Sequence, residues 1–165
     1  MANTFELIQS YTATGSETSF TFNSIPSTFT DLVLKTSTRK TTSGLSILVM
    51  TLNSASGTQR FIQGIGSGTP TSATNASVWG GINIGSDYTS NTFSSNDMYI
   101  PNYLSSSAKC MSLDMVSENN ATTSYANLVA SASTTTSAIT TIKLEVDSGT
   151  FVANSTAYLY GVKNA

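Results

Sequence analysis

The residues of this chain that could do chemistry are nine carboxylates and one cysteine, because histidine is absent. Its absence removes the commonest general base, the usual partner of a serine or cysteine nucleophile, and the commonest zinc ligand. Cys110 has no second cysteine and no histidine with which to form a recognisable metal site. We therefore expect no hydrolytic triad, no bound metal and no cofactor.

A pair of carboxylates could still serve as the general acid and base of a glycosidase. Asp114, Glu145 and Asp147 alternate with apolar residues, and this alternation predicts that they point to solvent. Asp31 precedes a predicted strand and Asp87 lies in a predicted turn, both ordinary positions for aspartate. The sequence favours a protein that is not an enzyme and has no catalytic residues, with a polysaccharide depolymerase as the third alternative.

Other motifs have ordinary explanations. The glycines of segment 64–68 are spaced as in a phosphate-binding loop, but no lysine follows them and no helical pattern begins there. Cys110 alternates with Met111, so we predict a small packing residue and not a reactive thiol. The seven basic residues are scattered, and no apolar run has the length of a membrane span. We expect contact with neither nucleic acid nor membrane.

Aromatic side chains in the middle third of the chain are the candidate binding surface, because exposed Trp and Tyr stack on sugars or anchor protein contacts. Trp79 and Tyr99 lie in strand patterns, and we predict that they fill the core instead. Tyr88 and Tyr103 have loop-like surroundings, and we predict that they are exposed. A glycan or a neighbouring subunit would be their partner.

The elements that position these side chains are β-strands, because period-two alternation dominates the sequence and no helical stripe is present. Segment 45–52 is apolar on both faces, which predicts a central strand or a subunit contact. The Gly/Ser/Thr-rich segment 64–77 is predicted to be a long mobile loop. The strand patterns cover residues 5–11, 19–23, 31–39, 45–52, 60–63, 77–84, 93–100, 110–115, 124–131, 142–147 and 158–163. We expect one domain, residues 1–165, folded as an antiparallel, jelly-roll-like β-sandwich of about ten strands.

The composition points to an assembly. Only 10% of residues are charged and the net charge is −2, while Ser and Thr together fill about a third of the chain. A neutral, hydroxyl-rich surface is poorly protected against association by charge repulsion. We therefore expect the protein to be a subunit of a larger assembly.

Both ends of the chain resemble a family of small virion proteins of tailed phages. The resemblance rests on segments 11–15 (YTATG), 19–35 (SFTFNSIPSTFTDLVLK) and 157–164 (AYLYGVKN), while segment 57–107 resembles no family that we can name. Members of this family are jelly-roll-like sandwiches described as capsid decoration, head-fibre or tail-fibre components. In the corner between the strand patterns 19–23 and 31–39, Ile25 and Phe29 are expected to plug the sandwich end and Asp31 to accept hydrogen bonds from turn amides.

The resemblance implies a viral structural protein without catalytic residues. Because the chain is nearly all sandwich and has no shaft of repeats, we expect a capsid decoration or cement protein on the outer surface of the virion, made in the host cytoplasm. It would bridge subunits of the major capsid protein, as a homotrimer at threefold lattice positions, with Phe5 and Leu7 near its contact surface. The alternative is a tail-fibre or collar component that binds a host receptor or glycan through Trp79, Tyr88 or Tyr103.

Overall fold

The computed structural model describes residues 4–120 and 122–163, which form twelve β-strands and no helix. The strands are β1 (Phe5–Thr12), β2 (Ser19–Phe22), β3 (Asp31–Thr38), β4 (Ser46–Leu52), β5 (Gly57–Ile65), β6 (Thr71–Asn75), β7 (Val78–Asn83), β8 (Ser94–Ile100), β9 (Lys109–Asn119), β10 (Thr123–Ser133), β11 (Ile142–Val146) and β12 (Thr156–Val162). Every pairing between strands is antiparallel. The predicted antiparallel β-sandwich is confirmed, with twelve strands where about ten were expected.

The strands form two sheets that enclose one core. The large sheet has eight strands in the order β1-β12-β3-β8-β9-β10-β5-β6, and the small sheet has four in the order β2-β11-β4-β7. Leu34, Met98 and Leu113 of the large sheet share a buried cluster with Met50 and Leu144 of the small one. Burying apolar side chains of this size contributes about 1.5–3 kcal/mol each.

Alternation along the strands decides which side chains enter the core. Met111, Leu113 and Met115 of β9 are buried as predicted, so the residues between them face outward. Cys110 lies in that outward register and is exposed, and the prediction that it packs inside is wrong. The doubly apolar strand β4 lies inside the small sheet between β11 and β7, as predicted, with Val49 on its outer face half-buried.

The segment predicted to be a long loop, 64–77, instead contains a strand. β5 continues to Ile65, Gly66 turns the chain with a φ of 52°, and Thr71–Asn75 pairs back onto Gln59–Gln63. All five residues of β6 are exposed, so its sequence has no apolar alternation to mark it as a strand. Its threonines nevertheless favour the extended conformation.

The two ends of the chain that carry the family resemblance meet at one end of the sandwich. The Phe29 ring lies against Gly161, and a Cβ added there would come closer than 3.0 Å to three ring atoms. Thr30 donates its backbone N–H to the Val162 carbonyl at 2.8 Å. Ile25 and Phe29 are both buried, which confirms that they plug this end.

Candidate partner-binding surface

The outer face of the large sheet carries six of the large apolar side chains that remain exposed. They are Leu128 (61% exposed), Phe5 and Ile62 (each 56%), Leu7 (51%), Val116 (48%) and Tyr99 (40%). In β8, β9 and β10 the alternate residues are buried, so the exposed side chains point outward. In β1 and β5 the pairing with β12 and β10 places Leu7 and Ile62 on the same face. We call the surface formed by these six side chains the outer face.

One half of the outer face is aromatic. The backbone register places Leu7 of β1 opposite Tyr160, Tyr160 opposite Val33, and Val33 opposite Tyr99. Val33 is buried although it points away from the core. Large side chains directly opposite each other on one face are close enough to pack, so this row covers Val33 and forms a continuous apolar strip.

The other half is aliphatic and has two charges at its borders. Leu128 of β10 lies between Asp114 of β9 and Ile62 of β5, and Ala130 lies opposite Arg60. Among the described residues, neither the Arg60 guanidinium nor the Asp114 carboxylate has a hydrogen-bond or ion-pair partner. This half therefore presents an apolar patch with one unpaired cation and one unpaired anion.

A groove of about 1110 Å³ runs across the outer face. It is lined by Phe5 of β1 and by Thr74 of β6, so both edge strands contribute and the sheet curves around the groove. Lys35 Nζ lies 2.7 Å from an Asp97 carboxylate oxygen in the groove, and Asp97 is directly opposite Asp114. The lysine thus offsets the repulsion between two facing carboxylates.

Of the side chains predicted to form a partner surface, only Phe5 and Leu7 belong to the outer face. Trp79 is buried and packs on Phe61, with ring centres 4.7 Å apart, which confirms the prediction that it fills the core. Tyr88 and Tyr103 are also buried, so the prediction that they are exposed is wrong. Neither belongs to a partner surface.

Tyr88 is buried in a loop whose backbone is held by Arg39. The buried Arg39 guanidinium donates to the carbonyl oxygens of Thr89 (2.7 Å), Tyr88 (2.9 Å), Ser86 (3.1 Å) and Thr92 (3.2 Å). Burial, together with the neighbouring Tyr125, raises the pKa of the Tyr88 hydroxyl to about 12. A residue almost fifty positions away therefore turns this side chain inward.

Tyr103 is buried because the turn after β8 closes the end of the sandwich. Its hydroxyl donates to the Pro26 carbonyl, and burial raises its pKa. Asp31, at the start of β3, accepts the Asn102 N–H of the same turn at 2.7 Å. The prediction that Asp31 binds amides of the corner before β3 is therefore wrong, because its carboxylate accepts an amide of the turn between β8 and β9 instead.

Tyr99 is the aromatic residue that sequence reasoning placed wrongly in the core. Its ring belongs to the outer face, and its hydroxyl donates to Asp31 Oδ2 at 2.7 Å. This hydrogen bond to a carboxylate, with some burial, raises the pKa of Tyr99. The signal that could have found it is the alternation of Met98 and Ile100, both fully buried, which forces the residue between them outward.

Two further basic residues act inside the fold. Lys40 is buried and its Nζ lies 3.1 Å from Asp147 Oδ1. Lys109 is buried as well, and its Nζ donates to the carbonyl oxygens of Ser105 (2.7 Å) and Ser107 (2.6 Å), while burial lowers its pKa. These cations fasten loops and are not presented to an external anion.

Neither a metal site, nor a membrane-spanning helix, nor a similar protein indicates a function for the described residues. Within residues 4–120 and 122–163, no three His, Cys, Asp or Glu side chains are grouped so that they could hold a metal ion. No helix in the described part of the chain is long and apolar enough to cross a membrane. No family model, no curated protein and no solved structure matches the chain. The outer face is therefore the feature of the described residues that most directly indicates a function.

Proposed function

We propose that this chain is a non-enzymatic structural protein of a tailed-phage virion, a capsid decoration or cement protein that bridges neighbouring subunits of the major capsid protein. The observation that carries the proposal is the exposed apolar outer face, to which Phe5 and Leu7 contribute as a cement protein requires. Apolar side chains gathered on one face, with polar groups at the border, mark protein contact sites. The resemblance of both chain ends to virion proteins supplies the class of partner.

Burial of the outer face would supply the binding energy. Leu128 and Ile62 are each more than half exposed, so covering either side chain would contribute about 1 kcal/mol. The unpaired Arg60 and Asp114 would select a partner with charges of opposite sign at the matching places. A ligand that binds only the assembled capsid stabilises that form by mass action, so the protein would act as a clamp without turnover.

The first experiment is to measure the copy number of this chain in purified particles relative to the major capsid protein. We expect a ratio that is a simple lattice fraction of the major capsid protein. A few copies per particle would contradict decoration and favour a tail component. Absence of the chain from particles would overturn both readings.

The second experiment tests the outer face with matched variants of one strand. Ile62 points to the outer face, whereas Ile65, also exposed, lies in the opposite register of β5. Ile62→Ser combined with Leu128→Ser should weaken binding to capsids that lack the protein by about thirtyfold, while Ile65→Ser should bind like the wild type. Exposed substitutions change stability by about 0.5 kcal/mol or less, so both variants should fold. Equal binding by all of them would rule out the outer face as the capsid contact.

A second candidate function is a tail-fibre or collar component that binds a host glycan. The observation that favours it is the groove, in which the exposed ring of Tyr99 is accompanied by Arg60 and Asp114. An aromatic platform beside a few polar groups suits a sugar ring. On this reading Tyr99→Ala abolishes binding to host-cell polysaccharide; on the capsid reading no such binding is found with either protein.

A further inference from the structure

The four edge strands of the two sheets are protected very differently. They are β1 and β6 in the large sheet and β2 and β7 in the small one. An edge strand has unpaired backbone N–H and C=O groups that can pair with another chain. Natural proteins block such edges with charges, bulges or covering groups. Three of the four edges are blocked in these ways.

The edge of β7 is sealed by side chains of the large sheet. Every residue of β7 is buried. Gln59 Oε1 accepts the Trp79 N–H at 3.1 Å, and Asn96 Oδ1 accepts the Ile82 N–H at 2.8 Å. The hydroxyl of Ser94 donates to the Ile82 carbonyl at 2.7 Å. No external strand could reach this edge.

The edges of β2 and β1 are blocked as well. Tyr11 of β1 stacks on Phe20 of β2, with ring centres 5.5 Å apart, and its hydroxyl donates to the Thr21 carbonyl. The ladder of β1 is broken by a bulge between Leu7 and Gln9. β1 also carries a carboxylate, Glu6, that pairs with a lysine of the C-terminal segment. A bulge and a charge are the usual means of preventing edge-to-edge pairing.

The edge of β6 has none of these protections. All five of its residues, Thr71–Asn75, are exposed, none is charged, and its register with β5 is continuous. Among the residues that the structure describes, none hydrogen-bonds to a backbone group of β6 from outside the large sheet. β6 is therefore a regular, uncharged and open edge.

We infer that the free edge of β6 pairs antiparallel with β6 of a second copy of this chain, with Ala73 at the two-fold axis. In this register Ser72 lies opposite the partner subunit's Thr74, and Thr71 lies opposite the partner subunit's Asn75. Facing hydroxyl side chains stabilise an antiparallel pair, and no like charges meet. The self-pairing is isologous and closes at two subunits.

The pairing would join two outer faces into one surface. Ser72 lies directly opposite Ile62 in the ladder between β6 and β5, so the apolar half of the outer face reaches almost to the shared edge. A dimer would present two outer faces at a fixed spacing, and the second contact with a repetitive partner would become intramolecular. The pairing does not depend on the proposed function, because it follows from β6 alone.

Native mass in solution tests the pairing. The wild-type chain should have twice its subunit mass of 17.3 kDa. Ala73→Lys brings two lysines face to face at the axis and should weaken dimerisation at least about tenfold. Ala126→Lys makes the same change at an exposed position of the interior strand β10 and should leave the dimer intact. Far-UV circular dichroism checks that each variant is folded.

A charge-pair experiment tests the register itself. Ala73→Glu alone should dissociate like Ala73→Lys, but an equimolar mixture of the two variants should re-form dimers. Residue 73 faces residue 73 of the partner subunit only in the register that has its two-fold axis at Ala73. Hydrogen exchange of the wild type should show β6 amides protected in a concentration-dependent way, which needs no variant. A monomer at all concentrations, a trimer, a dimer insensitive to Ala73→Lys, or a mixture that stays monomeric would each overturn the inference.

Discussion

Replacing Gly161 by alanine should destabilise the fold through a contact between the two ends of the chain. The Phe29 ring lies where the new methyl group would be, with three ring atoms closer than 3.0 Å to it. Gly161 is in β12 and is paired with Leu32 of β3, so its backbone cannot move without disturbing the large sheet. The ring must therefore move.

The size of the effect follows from what the ring would lose. Overpacking a well-packed site costs about 1–3 kcal/mol. Phe29 is buried, so displacement would also expose part of it, and it would weaken the contact with the Lys163 ammonium, which lies 5.2 Å from the ring centre. We expect Gly161→Ala to lower the free energy of unfolding by about 2–3 kcal/mol, or the melting temperature by about 4–12 °C.

Urea denaturation followed by tyrosine and tryptophan fluorescence measures this difference, and two further variants make it specific. Gly64→Ala is the control, because a Cβ at position 64 would have no neighbour within 4 Å. Phe29→Leu in the Gly161→Ala background should recover part of the loss, with a coupling energy above about 1 kcal/mol. If Gly161→Ala lowers the free energy of unfolding no more than Gly64→Ala, or if Phe29→Leu recovers none of the loss, the Phe29 ring does not prevent a side chain at residue 161.

Two further predictions concern loops. Arg39→Lys should lower the free energy of unfolding by about 3 kcal/mol in urea denaturation, because an ammonium cannot bind four carbonyl groups at once, and the exposed control Arg60→Lys should cost almost nothing. Equal effects of the two changes would refute the role of Arg39. Hydrogen bonds from the Thr14 hydroxyl and from nearby backbone N–H groups lower the pKa of Glu17 from 4.5 to about 2. This stabilisation is present above pH 4.5 and lost as the pH falls towards 2, so Glu17→Gln should flatten that part of the stability curve; an unchanged curve would contradict it.

The sequence predicts the strands well wherever one face of the strand is buried. Leu144 of β11 and Leu113 of β9 alternate with polar residues, and both reach the core as expected. β6 could not be found in this way, since a strand exposed on both faces has no apolar period and its Ser and Thr residues are equally common in loops. Short-range pattern thus reports burial and only indirectly reports backbone pairing.

Aromatic residues show where local reasoning fails. The inward position of Tyr88 depends on Arg39, and that of Tyr103 depends on a carbonyl acceptor at Pro26, both distant in sequence. No pattern around either tyrosine contains this information. The prediction that Phe5 and Leu7 lie on the surface is confirmed, because β1 is an edge strand with little to cover it.

The hydroxyl-rich composition has a structural role inside the sandwich as well as on its surface. Thr38 and Ser94 are buried with their hydroxyl oxygens 3.1 Å apart, and Asn96 Nδ2 donates to Thr36 Oγ1 at 2.9 Å. Ser94 and Asn96 also bind the free backbone edge of β7. Because short polar side chains satisfy this edge from within, the small sheet needs no charged border. β6 also carries short uncharged side chains, but among the described residues no side chain binds its free backbone groups from within the fold. This difference makes β6 the edge at which a second copy binds.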